Sequence, residues 1–312
     1  MRQHGFRVQY RHPSPGTPPM TPNRRRFFAA AAAATALVTT RTSPAADSAL
    51  GKAKNTKFAC NVEMWFSKEK DFLKRLEGAA KLGFPAVEIW PYEGKDINAV
   101  ADTCERLKLT ITQFTAWGFT PGMNDPKNKQ KVVDKIGEAC EVAKKWKCGM
   151  MCVVAGNDIP GVSQEKMHET VIEALKAAAP VAEKAGVTLI LESMNIRVDH
   201  KGHCLYGSPP AMKIVKAVDS KHVKLLWDLY HMHISEGDLC GHLREGFAAD
   251  AIRYIQIADH PGRHEPGTGE LNYTRVFKEL KKLKYDGYVG CECTPEKTEE
   301  AAAKAVFAAD EW

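Results

Sequence analysis

The chain has 312 residues, 44% of them hydrophobic, enough for one large α/β domain or two small ones and too apolar for a disordered polymer. Its formal charge of +6 is local: residues 1–46 hold seven arginines (Arg2, Arg7, Arg11, Arg24, Arg25, Arg26, Arg41) and no acid or lysine, so 37 basic residues face 38 acidic ones in the remainder. A near-neutral body argues against a nucleic-acid or anionic-membrane partner. The nine cysteines include no CxxC and no Cys/His pair at zinc-finger spacing, which favours buried free thiols over a disulfide or zinc framework.

The first feature along the chain is "NRRRFFAAAAAATALV", a twin arginine followed by aromatics and an alanine-rich apolar run, with small residues in "SPAADSA" suited to cleavage near Ala45 or Ala46. Residues 1–46 read as a twin-arginine export leader, with Met20 as an alternative start, and 47–57 as a short linker. The apolar run is shorter than the roughly 20 residues a membrane span needs. The mature chain is therefore expected outside the cytoplasm, exported already folded and without a membrane anchor.

From Phe58 to Trp312, short apolar runs alternate with helical patterns. The predicted strands are "FACNVEMWF", "AVEIW", "LTITQFTAW", "GMMCVVAG", "VTLILESMN", "VKLLWDLY", "IRYIQIAD" and "GYVGCECTP". Between them, stretches such as "KDFLKRLEGAAKLG" and "QEKMHETVIEALKAAAPVAEKAG" repeat apolar residues at helical spacing. Eight strand-helix units in this length predict a single (β/α)8 TIM barrel. A doubly wound open sheet is the rival, but no GxGxxG follows the first strand.

A barrel of this kind gathers its chemistry at the C-terminal strand ends. Strands five to eight place Glu192, Asp228, Gln256 and Glu292 there, each interrupting an apolar run. The separations of 36, 28 and 36 residues match one strand-helix period each, so the four side chains are expected to converge. Any one acid reads equally well as the partner of a barrel lysine or arginine. Together, three carboxylates and an amide oxygen make a hard donor set suited to Mg²⁺ or Mn²⁺. His231, three residues after Asp228, is placed to bond a substrate oxygen or to support a ligand. Glu63, Glu88, Trp65, Trp90 and Trp117, near the ends of strands one to three, are candidate pocket walls. In the loop after strand seven, the planar fork of Arg263 suits a substrate carboxylate, with His264 and Glu265 on the same rim.

The motifs "DLYHMHISEGDL", "QIADHPGRHEPGTGELNY" and "YDGYVGCECTP", with "GFPAVEIWPYE" in the first half, resemble the hydroxypyruvate isomerase family within the xylose isomerase-like barrels, from about Cys60 to about Glu300. The resemblance implies one divalent metal bound through Glu192, Asp228, Gln256 and Glu292. It implies that the two glutamates are also the acid/base pair, and that hydroxypyruvate and tartronate semialdehyde are interconverted in a homo-oligomer. Glu88, Asn195, His231, Arg263, His264 and Glu265 are the expected substrate-binding residues. Two loops depart from the family pattern, "SMNIRVDHKG" after Glu192 and "TAWGFTPGMNDP" after strand three, and both are expected to border the substrate. The alternatives are a ketose 3-epimerase or other keto-sugar isomerase, against which Gln256 counts because those relatives usually carry histidine there, and an exported sugar-binding protein without catalysis.

Overall fold

A computed structural model describes residues 53–312; the expected twin-arginine leader and linker residues 47–52 lie outside the described residues. Eight parallel strands close into one barrel in chain order: β1 (Lys57–Asn61), β2 (Ala86–Pro91), β3 (Thr110–Trp117), β4 (Met150–Val154), β5 (Thr188–Glu192), β6 (Val223–Asp228), β7 (Ile252–Ile257) and β8 (Tyr288–Cys291). Each of the eight predicted runs forms one strand. A closed sheet leaves no unpaired edge, and β1 completes it by pairing with β8.

Most of the connecting helices start where a short polar side chain satisfies their free N–H groups. Asp71 accepts from Leu73, Asp96 from Asn98 and Ala99, Ser163 from Lys166, and Thr298 from Ala301. Strand alternation divides the core into two parts. Outward residues such as Leu189, Leu191, Leu225, Trp227, Ile255 and Ile257 join the helices in the large cluster, each buried aliphatic side chain contributing roughly 1.5–3 kcal/mol. Inward residues Cys152, Val154, Ile190, Leu226 and Tyr254 form a small second cluster on the barrel axis. Stability therefore rests mainly on the outer layer, and the inner layer accommodates polar groups where these bond one another.

Several predicted strands run past the observed ends. Asn61 terminates β1 because its Oδ1 accepts the N–H groups of Glu63 (3.1 Å) and Met64 (3.2 Å), turning the chain. Glu63 is thereby carried away from the axis into ion pairs with Lys95 (2.8 Å) and Arg75 (3.3 Å). Trp65 packs beneath, its Nε1 donating to the Cys291 carbonyl at 2.9 Å. The N-terminal entry is also tied down earlier than expected. Asp310 accepts the backbone N–H groups of Lys54, Asn55 and Thr56 at 2.7, 2.6 and 3.1 Å, inside the segment read as linker. All nine cysteines are free, and eight are buried. Among the described residues no helix is long and apolar enough to cross a membrane.

Candidate active site

Three of the four strand-end acceptors terminate their strands or lie next to the end. Glu192 closes β5, Asp228 closes β6, and Glu292 follows β8 by one residue. Gln256 is the penultimate residue of β7, in register with Asp228. All four are nearly or fully buried, at 7, 0, 5 and 1% exposure respectively. One candidate ligand atom from each of Glu192, Asp228, His231 and Glu292 lies within 4.8 Å of all the others. The helix Leu229–Ser235 begins directly at Asp228, whose Oδ1 caps it through Tyr230 N–H at 2.8 Å. That cap turns Oδ2 toward the axis, and the first helical turn places His231 beside it.

The cluster is poor in compensating charge. Burial, reinforced by the neighbouring Glu292 and Asp228 carboxylates, holds Glu192 well above the usual carboxylate range. Burial pushes Asp228 up to about 7, with Arg263 opposing and Glu292 adding to the shift. Arg263 is the cation that answers them. Its Nη2 meets Glu292 Oε2 and lies 3.5 Å from Asp228 Oδ2, while the guanidinium sits 5.1 Å above the Tyr230 ring. Its backbone is left-handed (φ 56°), a conformation costly for a non-glycine residue and held by the surrounding loop.

That loop is knotted by Asp259, whose Oδ1 accepts from His260 and Leu271 and whose Oδ2 accepts from Gly267. Residues 263–265 clamp it to the loop after β8. The Arg263 carbonyl accepts Thr294 N–H at 2.9 Å, His264 Nδ1 donates to the Thr294 carbonyl at 2.7 Å, and Glu265 Oε2 accepts Glu296 N–H at 2.9 Å. His264 and Glu265, expected on the substrate rim, therefore do not line the cavity, because their polar atoms join two loops.

The cavity has a volume of about 330 Å³; its lining combines the polar Glu192, Glu292, His231 and Arg263 with Trp90, Phe119, Met194 and Val154. Trp90 Nε1 donates to Glu292 Oε1 at 2.9 Å, so this tryptophan is a wall as expected. Trp117 is buried and does not line the space. Glu88 also lies below the cavity, two residues short of Trp90 on the inward row of β2 and fully buried. Phe119 and His200, stacked at 5.0 Å between ring centres, come from the two loops that depart from the family pattern; their positions were not legible because nothing in a loop's composition sets its course.

Asn195 is likewise not a wall; it determines what His231 presents. Its Oδ1 accepts the N–H groups of Val198 (3.0 Å) and Asp199 (3.2 Å), so its amide nitrogen is the donor to His231 Nδ1 at 2.7 Å. Burial holds His231 well below the usual imidazole range, hence neutral. With Nδ1 an acceptor, the ring proton sits on Nε2, which lies 3.5 Å from Asp228 Oδ2 and 3.7 Å from Glu192 Oε1. A protonated Nε2 is a hydrogen-bond donor and not a metal ligand.

Gln256 offers what His231 does not. Its Nε2 donates to both oxygens of Glu88 at 3.1 Å, leaving Oε1 buried without a partner. Three carboxylates and a free amide oxygen are the donor set of a hard divalent cation, and an orphaned buried acceptor is the observation such an ion would resolve.

A closed parallel barrel with acidic acceptors at its C-terminal strand ends is the architecture of a barrel enzyme. The xylose isomerase-like TIM barrel family matches residues 76–309, and the chain belongs to that family. It is 34% identical over 255 residues to hydroxypyruvate isomerase from Escherichia coli K12, covering 80% of this chain and 97% of that protein. It is also 34% identical over 249 residues to 2-oxo-tetronate isomerase from Cupriavidus necator, covering 77% and 93%. Among solved structures, AP endonuclease, family 2 from Brucella melitensis aligns with a TM-score of 0.74 at 30% identity, covering 79% of this chain and 96% of that one.

Proposed function

We propose that the chain is a metal-dependent ketol isomerase that interconverts hydroxypyruvate and tartronate semialdehyde through an enediolate. The observation that carries this reading is the gathering of Glu192, Asp228 and Glu292 within 4.8 Å of one another, with the two glutamates lining one cavity; Gln256, in register with Asp228, adds a buried Oε1 without a partner. The names of the relatives at 34% identity support the reaction class.

Glu192, Asp228, Gln256 and Glu292 would hold the cation, Mg²⁺ or Mn²⁺ by the hardness of these donors. When bound, the ion supplies Lewis-acid stabilisation of the oxygen on which negative charge develops. Glu192 and Glu292, on β5 and just past β8, take a proton from one substrate carbon and return it to its neighbour. His231 Nε2–H donates to a substrate oxygen, and the Asn195 bond keeps the proton there. Arg263, besides its contacts to Glu292 and Asp228, keeps a buried Nε without a partner, a donor suited to the substrate carboxylate. Trp90, Phe119 and Met194 exclude water from the reacting carbons.

A keto-sugar isomerase or 3-epimerase is the second reading, favoured by the apolar wall of Trp90 and Phe119, which suits the face of a longer carbon chain. The twin arginine and alanine-rich run within residues 1–46 are the grounds for the export we propose through the twin-arginine pathway, the folded chain carrying its metal with it.

The test incubates the chain with Mn²⁺ or Mg²⁺ and hydroxypyruvate in D₂O, following label and product by NMR. Metal-dependent labelling with tartronate semialdehyde appearing is the expected outcome. Labelling of ketoses alone moves the assignment to the second reading, and no labelling of any substrate removes the isomerase reading.

A further inference from the structure

Directly beneath the proposed metal ligands is a carboxylate that the reaction does not use. Glu88 is fully buried on the inward face of β2, and among the described residues no lysine or arginine bonds it. Hydrogen-bond donors converge on it instead. Asn61 Nδ2 reaches Oε1 at 2.9 Å, Tyr254 Oη reaches Oε2 at 2.9 Å, and Gln256 Nε2 lies 3.1 Å from both oxygens. Gln113 Nε2 adds a longer contact at 3.4 Å. The Asn61 amide has no freedom to turn, because its Oδ1 already accepts two backbone N–H groups.

A glutamine side chain has two nearly isosteric ends, and only the oxygen can bind a cation. A neighbour that offers both amide orientations a partner leaves the choice open, whereas a carboxylate accepts from the NH₂ end and repels the carbonyl; burial and the neighbouring Glu292 push the Glu88 carboxyl up to about 8, and the Asn61, Gln256 and Tyr254 donors that face its two oxygens oppose that shift and favour the acceptor form. Gln256 follows this rule: its NH₂ group faces Glu88, and its Oε1 is the buried atom left without a partner.

We propose that Glu88 is a positioning residue for the metal, acting through Gln256 by holding the amide with Oε1 turned toward Glu192, Asp228 and Glu292. This rests on the metal-dependent reading above. Carboxylates play the same part behind metal-bound histidines, where removing them costs 10–100-fold in metal affinity.

The experiment titrates Mn²⁺ into the purified chain by EPR, for wild type, E88Q, Q256E and the exchanged pair E88Q/Q256E, with circular dichroism melts to establish folding. E88Q offers either amide orientation a partner, so Mn²⁺ binding should weaken by about 10–100-fold. The exchanged pair restores one donor facing one carboxylate and should bind Mn²⁺ more tightly than Q256E measured alone, in which two acids face each other; a merely structural role for Glu88 would leave the pair no tighter than Q256E. A folded E88Q that binds Mn²⁺ like wild type overturns the positioning role alone. A wild-type chain that takes up no Mn²⁺ overturns the metal reading and this role with it. Should E88Q fail to fold, the exchanged pair decides: affinity above that of Q256E supports the role, and a folded pair no tighter than Q256E overturns it.

Discussion

Asn195 donates to Nδ1 of His231 at 2.7 Å while its own oxygen is held by the backbone of Val198 and Asp199, and this one bond places the imidazole proton on the nitrogen that faces Glu192 and Asp228. Asn195→Asp replaces the donor with an acceptor and draws the proton to Nδ1. Turnover of N195D is expected to fall by about 10²-fold or more, the scale of general acid-base contributions. Metal content measured on the same samples should stay at the wild-type level. A variant with normal kcat would show that the tautomer does not matter to the reaction.

Glu192→Gln and Glu292→Gln remove the proposed proton carriers while keeping side-chain length. Each should lower kcat by at least about 10² and abolish deuterium incorporation from D₂O. Both residues are also proposed ligands, so plasma emission analysis of bound metal must accompany the kinetics. A metal-loaded variant that still exchanges label would remove that glutamate from the proton path.

Burial and the neighbouring carboxylates hold Glu192 and Asp228 above their usual range, with Arg263 as the cation beside them. An ion that binds the folded chain alone stabilises it by about 2.7 kcal/mol at a hundredfold excess over its Kd. Calorimetry after chelation should show a lower Tm that rises with added Mn²⁺, and the rise should disappear in Asp228→Ala. A Tm indifferent to Mn²⁺ would argue against the site.

Acid sensitivity should have a separate source in His203. Its Nδ1–H donates to the Leu205 carbonyl at 2.7 Å and its Nε2 faces Gly156 N–H at 3.4 Å, so the buried ring is satisfied only when neutral. Burial pushes its pKa down to about 4. The unfolded chain takes up the proton below about 6.5 and the folded chain does not, so this contribution to stability is complete above pH 6.5 and lost as pH falls toward 4. Over that window the loss approaches about 3 kcal/mol. Urea unfolding of wild type and His203→Gln across this range should show wild type losing more stability than the variant, and a constant difference would mean that the ring is charged in the folded state.

The barrel was readable because each strand-helix unit carries its own apolar period and its own stop signals, and eight such units have one common way to close. The strand-end acids were readable for the same reason: Glu192, Asp228 and Glu292 each interrupt an otherwise apolar run one period apart, where an unpaired carboxylate is costly. Arg263 was visible as a cation in a glycine- and proline-rich loop. Its contacts with Asp228 and Glu292 depend on the fold of that loop around Asp259, which local spacing does not encode.

Depth along the barrel was decided only by tertiary structure. Glu88 and Trp90 share one inward row, and two residues separate a side chain sealed beneath the site from one at its wall. The register of β2 against its neighbours, which shifts along its pairing with β3, determines which residue occupies which level. The same holds for Asn195, Phe119 and His200, whose loops follow the packing of helices distant in sequence. What the amino acids determined by themselves was the number of strands and which oxygen-bearing side chains stand at their ends, because periodicity and burial cost are local. Which donor faces the cavity, which amide is turned by a carboxylate and which histidine nitrogen carries the proton were set by neighbours up to 168 residues away along the chain, since a hydrogen bond depends on distance in space and not in sequence.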